Sequence, residues 1–259
     1  MTLRPLILAS NDDGVDAEGL RALAAALEPI ADVFVVAPEH EQSAKSHSIS
    51  LHTTLRHHRY GERLHSIEGT PADCVYVALY REDLLPRWPD LVVSGINHGA
   101  NLATDVHYSG TVAAAREGAL RGIPSIAFSA LPGAGFELAA TYARDLVERV
   151  LARPKPAPDA QPLFLNVNVP AGVPSGLRAT TLGRRLYREG VDVRKDPRGR
   201  EYYWIGGPGG VEHVHVEGSD TEATDAGFVS VTPLRLEMSQ SEHFGIVADF
   251  ARSSGTERP

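Results

Sequence analysis

The stretch "LILASNDDGV", residues 6–15, opens as an aliphatic run and ends in two adjacent acids followed by glycine. A continuous apolar run with no alternation reads as a strand covered on both faces. Adjacent carboxylates repel, so Asp12 and Asp13 need a cation, a proton or plain solvation at a loop tip. Successive side chains of a regular strand point to opposite faces. At the irregular turn that Gly14 permits, both can reach one ion.

Strand and helix signals alternate outward from this stretch. "GLRALAAALEPI" (19–30) puts Leu20, Leu23, Ala24, Leu27 and Ile30 at helical spacing. "DVFVVAP" (32–38) is a second buried strand, followed by a polar loop and a weaker extended stretch. In "GTPADCVYVALY" (69–80), Thr70 is an N-cap with Pro71 at the first helical position. "DLVVSG" (90–95) and "IPSIAFS" (123–129) are strands, and "FELAATYARDLVERVLA" (136–152) is a helix. "SGTVAAAREGALRG" (109–122) is a helix stopped by Gly122. This order predicts an α/β fold, a mostly parallel sheet with helices on both sides, in three layers. Ligands of such sheets bind outside the carboxyl ends of the strands, where "NDDG", "PEHEQSAKSHS" (38–48) and "GINHGAN" (95–101) all fall.

The pattern changes at the Pro-rich connector "RPKPAPDAQP" (153–162). Residues 1–152 are therefore expected to form the metal- and phosphate-binding core. Residues 153–259 are expected to hold the final core strands "LFLNVNVP" (163–170) and "GFVSVTPL" (227–234), an extended hairpin region and a tail. From Arg178 to Pro233 the chain reads as extended and turn-rich, with "DPRG", "YYWIG" and "GGPGG". After Ser239 a short helix and the frayed end "SSGTERP" are expected.

Bulk properties narrow the function. The 259 residues are 42% hydrophobic and 22% charged, enough for a core of normal size. A net charge of −8 argues against a nucleic-acid polymer as partner but leaves room for a small phosphorylated ligand. The lone Cys74 forbids an internal disulfide, and no apolar segment reaches a membrane span. A cytoplasmic location without membrane contact is expected.

Four polar motifs carry the chemistry. Asp12 and Asp13 offer the oxygens a hard cation selects. Glu39, Glu41 and several hydroxyls follow the second strand, and Asn97 and Asn101 bracket a glycine after another. Ser109, Gly110 and Thr111 open a helix whose free N–H groups and dipole favour an anion. His107, just ahead of that start, is a candidate proton donor to a leaving group. His57 and His58 read as solvent-facing, and His213 and His215 as hairpin surface without a third zinc ligand.

In order and spacing, "NDDGV", "APEHEQSAKSHSISL", "GTPADCVYVAL", "VVSGINHGAN" and "YSGTVAAAREGAL" resemble the SurE family of 5'/3'-nucleotidases, and "YYWIGGPGG" and "GFVSVTPLR" resemble its later segments. Ala100 departs from a proline common in that family. The resemblance implies a Rossmann-like three-layer core with a mostly parallel sheet, and a divalent-metal-dependent phosphomonoesterase acting on nucleoside 5'- and 3'-monophosphates, and on short polyphosphate. It implies one Mg²⁺ or Mn²⁺ per subunit on Asp12, Asp13, Ser43 and Asn97, with Asp12 and Asp13 catalytic. It places Asn11, Asn101, Ser109, Gly110 and Thr111 around the substrate phosphate, and implies a homodimer or homotetramer joined through the extended region. Two other readings stay open: a non-enzymatic nucleotide-binding module, and a haloacid-dehalogenase-type phosphatase. The latter's nucleophilic aspartate would be Asn11, an amide that cannot take that role.

Overall fold

The computed structural model describes residues 3–154, 157, 160–187, 190–206, 210–239 and 241–253. Four residues of the Pro-rich connector, the centre of "GGPGG" and the tail from residue 254 lie outside them.

The chain runs β1 (Leu6–Ser10), α1 (Glu18–Leu27), β2 (Asp32–Pro38), β3 (His57–Arg59), β4 (Leu64–Ile67), α2 (Pro71–Tyr80), β5 (Leu91–His98), α3 (Gly110–Leu120), β6 (Ser125–Ala130) and α4 (Phe136–Leu151). It continues through β7 (Phe164–Val169), β8 (Leu177–Ala179), β9 (Arg184–Tyr187), β10 (Val191–Lys195), β11 (Glu201–Ile205), β12 (Val211–Val214), α5 (Asp220–Asp225), β13 (Val229–Pro233) and α6 (Phe244–Ser253). One sheet takes the order β3-β4-β2-β1-β5-β6-β7-β13-β8. Its centre, β4 to β7, is parallel throughout, and β3 and β13 pair antiparallel with their inner neighbours.

Period-two geometry splits the apolar runs between two helical layers. Ile7, Val33, Val93 and Phe128 pack with Leu20, Leu23 and Leu27 of α1 and Ala143 and Val147 of α4. Leu8, Val36 and Val92 face the opposite side, with Cys74 and Val75 of α2 and Ala114 of α3. The expected three-layer α/β core is present. Thr70 accepts from the Asp73 N–H while Asp73 accepts from the Thr70 N–H, a complete capping box. Helix α1 stops at Leu27, short of the expected Ile30: Glu28 still donates to the Ala24 carbonyl, but Pro29 has no N–H to continue the ladder.

The second half adds β7, β13 and β8 to the main sheet, and its two remaining strand pairs, β10–β11 and β9–β12, are separate. One stretch differs from the expected extended run: residues 220–225 are helical. Ser219 caps them, its Oγ accepting from the Glu222 N–H. His57 departs from expectation, since it is partly buried, whereas the His58 side chain stays 41% exposed. His57 stacks on His65 with ring centres 5.1 Å apart. Arg81 can only donate, so the contacts have one consistent sense. Arg81 donates to His57 Nδ1 (3.1 Å), His57 Nε2 to His65 Nδ1 (3.0 Å), and His65 Nε2 to the Glu62 carbonyl (3.2 Å).

Candidate functional site

Strand order reverses direction at β1, with β2 on one side and β5 on the other. The crevice above this switch point is where a doubly wound sheet presents loop ends and helix starts to a ligand. The β1 run delivers Asn11, Asp12 and Asp13 there. Gly14, at φ +103°, turns the chain away.

Asp12 is buried, and the Thr111 hydroxyl donates to its Oδ1. A Cβ on Gly110 would stand 2.7 Å from Asp12 Cβ and 2.9 Å from Oδ2, so the start of α3 lies directly against this carboxylate. Burial pushes the Asp12 carboxyl up to about 6, with the Thr111 bond opposing and the Asp13 charge adding. Asp13 is less buried and accepts the His98 N–H at 3.2 Å. Burial raises it too, the His98 N–H opposing and the Glu41 charge adding. Among the described residues no lysine or arginine pairs with either acid.

Two amide side chains flank the acids. Asn11 is buried; its Nδ2 donates to the Gly14 carbonyl at 2.8 Å while its Oδ1 has no partner among the described residues. Asn97 Nδ2 donates to the Gly99 carbonyl at 2.9 Å. Adjacent acids that no lysine or arginine pairs with among the described residues, and a donor set made of oxygens, fit a hard divalent ion.

Other sequence-predicted members are placed differently. Ser43 is exposed and its Oγ donates to Glu41 at 2.8 Å; among the described residues no hydrogen bond joins it to Asp12 or Asp13. Its loop is nonetheless drawn over the site. The Gln42 N–H donates to the Asp12 carbonyl (2.7 Å), the Ser46 N–H to the Tyr108 carbonyl (3.0 Å), and His47 meets buried Glu117 at 2.9 Å. Asn101 faces a buried polar cluster rather than open solvent. Its N–H donates to Asn168, its Nδ2 to Ser129, and its carbonyl accepts from Asn166 and Asn168. Ser109 caps α3, its Oγ accepting from the Val112 N–H at 3.0 Å. Ala44, Ser46 and Ala103 all hold positive φ around this crevice, a conformation that costs about 1–3 kcal/mol each and clusters at functional sites.

Sequence reasoning missed two features: the bond from Thr111 to Asp12, and the asparagines of β7. The last had one usable signal, two polar residues on one face of an otherwise apolar strand.

Fold and crevice together define a doubly wound α/β protein whose switch point presents acidic and amide oxygens to the open start of a helix. The family model described as "Survival protein SurE" matches residues 7–189. A protein of Sorangium cellulosum (strain So ce56) named 5'-nucleotidase SurE is 55% identical over 250 residues, covering 94% of this chain and 95% of its own. Another of that name from Myxococcus xanthus (strain DK1622) is 52% identical over 236 residues, covering 90% and 88%. The crystal structure of the SurE protein from Aquifex aeolicus superposes with a TM-score of 0.82 at 38% identity, over 95% of this chain and all of that one. The chain belongs to the SurE family.

Proposed function

We propose that this chain is a 5'-nucleotidase, a phosphoric monoester hydrolase that converts nucleoside 5'-monophosphates to nucleoside and phosphate with a divalent cation. Its named relatives support the nucleotidase activity. Activity on 3'-monophosphates and short polyphosphate, and Mg²⁺ or Mn²⁺ as the ion, are part of the same proposal. The observation that carries it is the Asp12 carboxylate packed against the free start of α3. That contact sets a cation-seeking oxygen beside anion-seeking N–H groups, the pair of needs that a metal-bound phosphate meets.

Asp12, Asp13, Ser43 and Asn97 would hold the ion, which when bound supplies charge to polarise a phosphoryl oxygen and acidify a water. The start of α3 binds the phosphate, with Ser109 as its cap, the Gly110 N–H and the helix dipole facing the anion and Thr111 tied to Asp12, and it offsets charge that grows in the transition state. The Thr111 hydroxyl fixes the orientation of Asp12. One of the two carboxylates accepts the proton of the attacking water. Asn11 lines the phosphate pocket, Asn101 backs it from the polar cluster of β6 and β7, and His107, exposed one turn ahead of α3, donates to the leaving oxygen.

Residues 1–152 form the catalytic core in this reading. Within residues 153–259, β9–β12 and α6 join subunits into a homodimer or homotetramer. The single, buried Cys74 suits a reducing cytoplasm. Among the described residues no helix is long and apolar enough to cross a membrane.

The test is phosphate release from a panel of nucleoside monophosphates with Mg²⁺, Mn²⁺ or a chelator. Release that needs the ion and prefers nucleotides is expected. Phosphate binding without release would replace this reading with a binding module. A phosphorylated protein trapped by acid would replace it with a covalent phosphatase mechanism.

A further inference from the structure

The start of α3 is fixed from a distant part of the chain. The turn Ala103–His107 leads into Ser109, and the Asp105 carbonyl accepts from the N–H groups of Tyr108 (2.9 Å) and Ser109 (3.0 Å). Shifting Asp105 therefore shifts Ser109 and the N–H groups that follow it. The Asp105 side chain is held from β9: Arg185 ion-pairs with Oδ2 and the Tyr187 hydroxyl donates to Oδ1. The two charged side chains are only 14% and 16% exposed. Removing either partner leaves a poorly solvated charge, unlike breaking a surface ion pair.

The other end of the turn is tied as firmly. Ala103, at φ +53°, donates its N–H to Asp220 Oδ2 at 2.9 Å. Asp220 is fully buried, and its Oδ1 accepts from Gly183 (2.7 Å) and Thr221 (2.8 Å). One carboxylate thus joins the turn beside the crevice to the residue that precedes β9. A Cβ on Gly183 would lie 2.3 Å from Thr221 Oγ1, so the approach is close. Nothing in the chemistry proposed above uses Asp105, Arg185, Tyr187 or Asp220.

We propose that Asp105, Arg185, Tyr187 and Asp220 are positioning residues for the phosphate-binding start of α3, through which the segment carrying β9 sets how tightly phosphate is held. This rests on the reading that Ser109–Thr111 take the phosphate. A helix N-terminus acts on an anion only within its first turn, and misplacing a binding group by about 1 Å can cost on the order of 10²-fold in rate. The strand segment therefore has leverage on binding without touching the ligand.

The test measures binding of inorganic phosphate to the full chain by calorimetry in saturating Mn²⁺, with steady-state kinetics and thermal melting beside it. Arg185→Met and Asp105→Asn should each weaken phosphate binding by roughly tenfold or more, in the range for partners that orient a binding group from behind. Arg185→Lys should recover part of the loss, and the double variant should be no worse than the worse single one. Tyr187→Phe removes one hydroxyl and keeps the strand pairing, so it decides the matter if Arg185→Met does not fold; a loss of about threefold is expected, for a bond worth somewhat under 1 kcal/mol. Unchanged phosphate affinity in Tyr187→Phe and Arg185→Met, with only the melting temperature lowered, overturns the proposal. A wild-type chain that binds phosphate but releases none from nucleotides, with variants weakened as expected, supports the positioning role and defeats the nucleotidase reading. A wild-type chain that binds no phosphate overturns both.

Discussion

The Thr111 hydroxyl donates to the carboxylate of Asp12, joining residues 99 positions apart. The bond locks the first turn of α3 to the end of β1, so the proposed anion-binding and cation-binding groups move as one unit. Thr111→Val keeps the side-chain shape and removes the donor. A loss of about 10–100-fold in kcat/KM is expected, with a higher metal requirement, as for other partners that orient a metal-binding carboxylate. Thr111→Ser restores the donor and should retain most of the activity. Metal titrations of both variants check this; equal loss in the two would mean that the methyl group, not the hydroxyl, matters.

Charge separates the proposed metal ligands. Asp12 and Asp13 balance a dication, whereas Ser43 and Asn97 contribute only dipoles. Asp13→Asn should lose on the order of 10²-fold or more in kcat, with little rescue by excess metal. Ser43→Ala removes one neutral oxygen that water can replace, so saturating Mn²⁺ should recover much of its rate. Activity against metal concentration, with circular dichroism as a folding control, distinguishes them. The reverse pattern of rescue would overturn the assignment.

Gly110 sits at the first position of α3 with Asp12 immediately beside it. Elsewhere in a helix, Gly→Ala stabilises by roughly 0.5–1 kcal/mol. Here the new Cβ would press on Asp12 Cβ, which has little freedom to yield. Gly110→Ala is therefore expected to cut kcat/KM by about 10²-fold through displaced catalytic geometry. Normal kinetics in this variant would show that Asp12 can shift without penalty.

The pairing of His57 with His65 makes stability depend on pH. Burial lowers both pKa values below 6.5; for His57 the Arg81 and His65 charges act in the same direction. The fold thus favours neutral rings, and the unfolded chain binds more protons between the folded and unfolded values. Their contribution is fully present above about pH 6.5 and is lost as the pH falls toward the folded values. His57→Phe keeps a ring for stacking and removes one titration. Its melting temperature should fall less than the wild type's between pH 8 and pH 5.5. An equal fall would place the acid sensitivity elsewhere.

Tyr203, Trp204 and Ile205 of β11 are 61%, 62% and 94% exposed. A two-stranded ribbon cannot bury such side chains alone. The chain is expected to sediment as a dimer or tetramer at micromolar concentration, and Trp204→Glu with Ile205→Arg should shift it toward monomer. A monomeric wild type would rule out this surface as a subunit contact.

Much of this architecture is legible in the sequence because its causes are local. Continuous aliphatic runs at 6–9, 33–37 and 91–93 can only be strands covered on both faces, and the helices between them force a parallel sheet. Thr70 and Pro71 mark a helix start in two adjacent residues. Asp12 and Asp13, next to a glycine at a strand end, mark that end as a candidate ligand site. The partners of these residues are another matter. Thr111 against Asp12, Asp105 against Arg185, Asp220 against the Ala103 N–H and His57 against His65 pair polar groups that would suit a solvated loop equally well. Even the helix at 220–225 has no apolar face to betray it; Ser219 and the buried bonds of Asp220 hold it. Periodicity and propensity report on neighbours a few positions apart, whereas these contacts span from 8 to 117 positions. Only the order in which the strands assemble brings them within hydrogen-bonding distance.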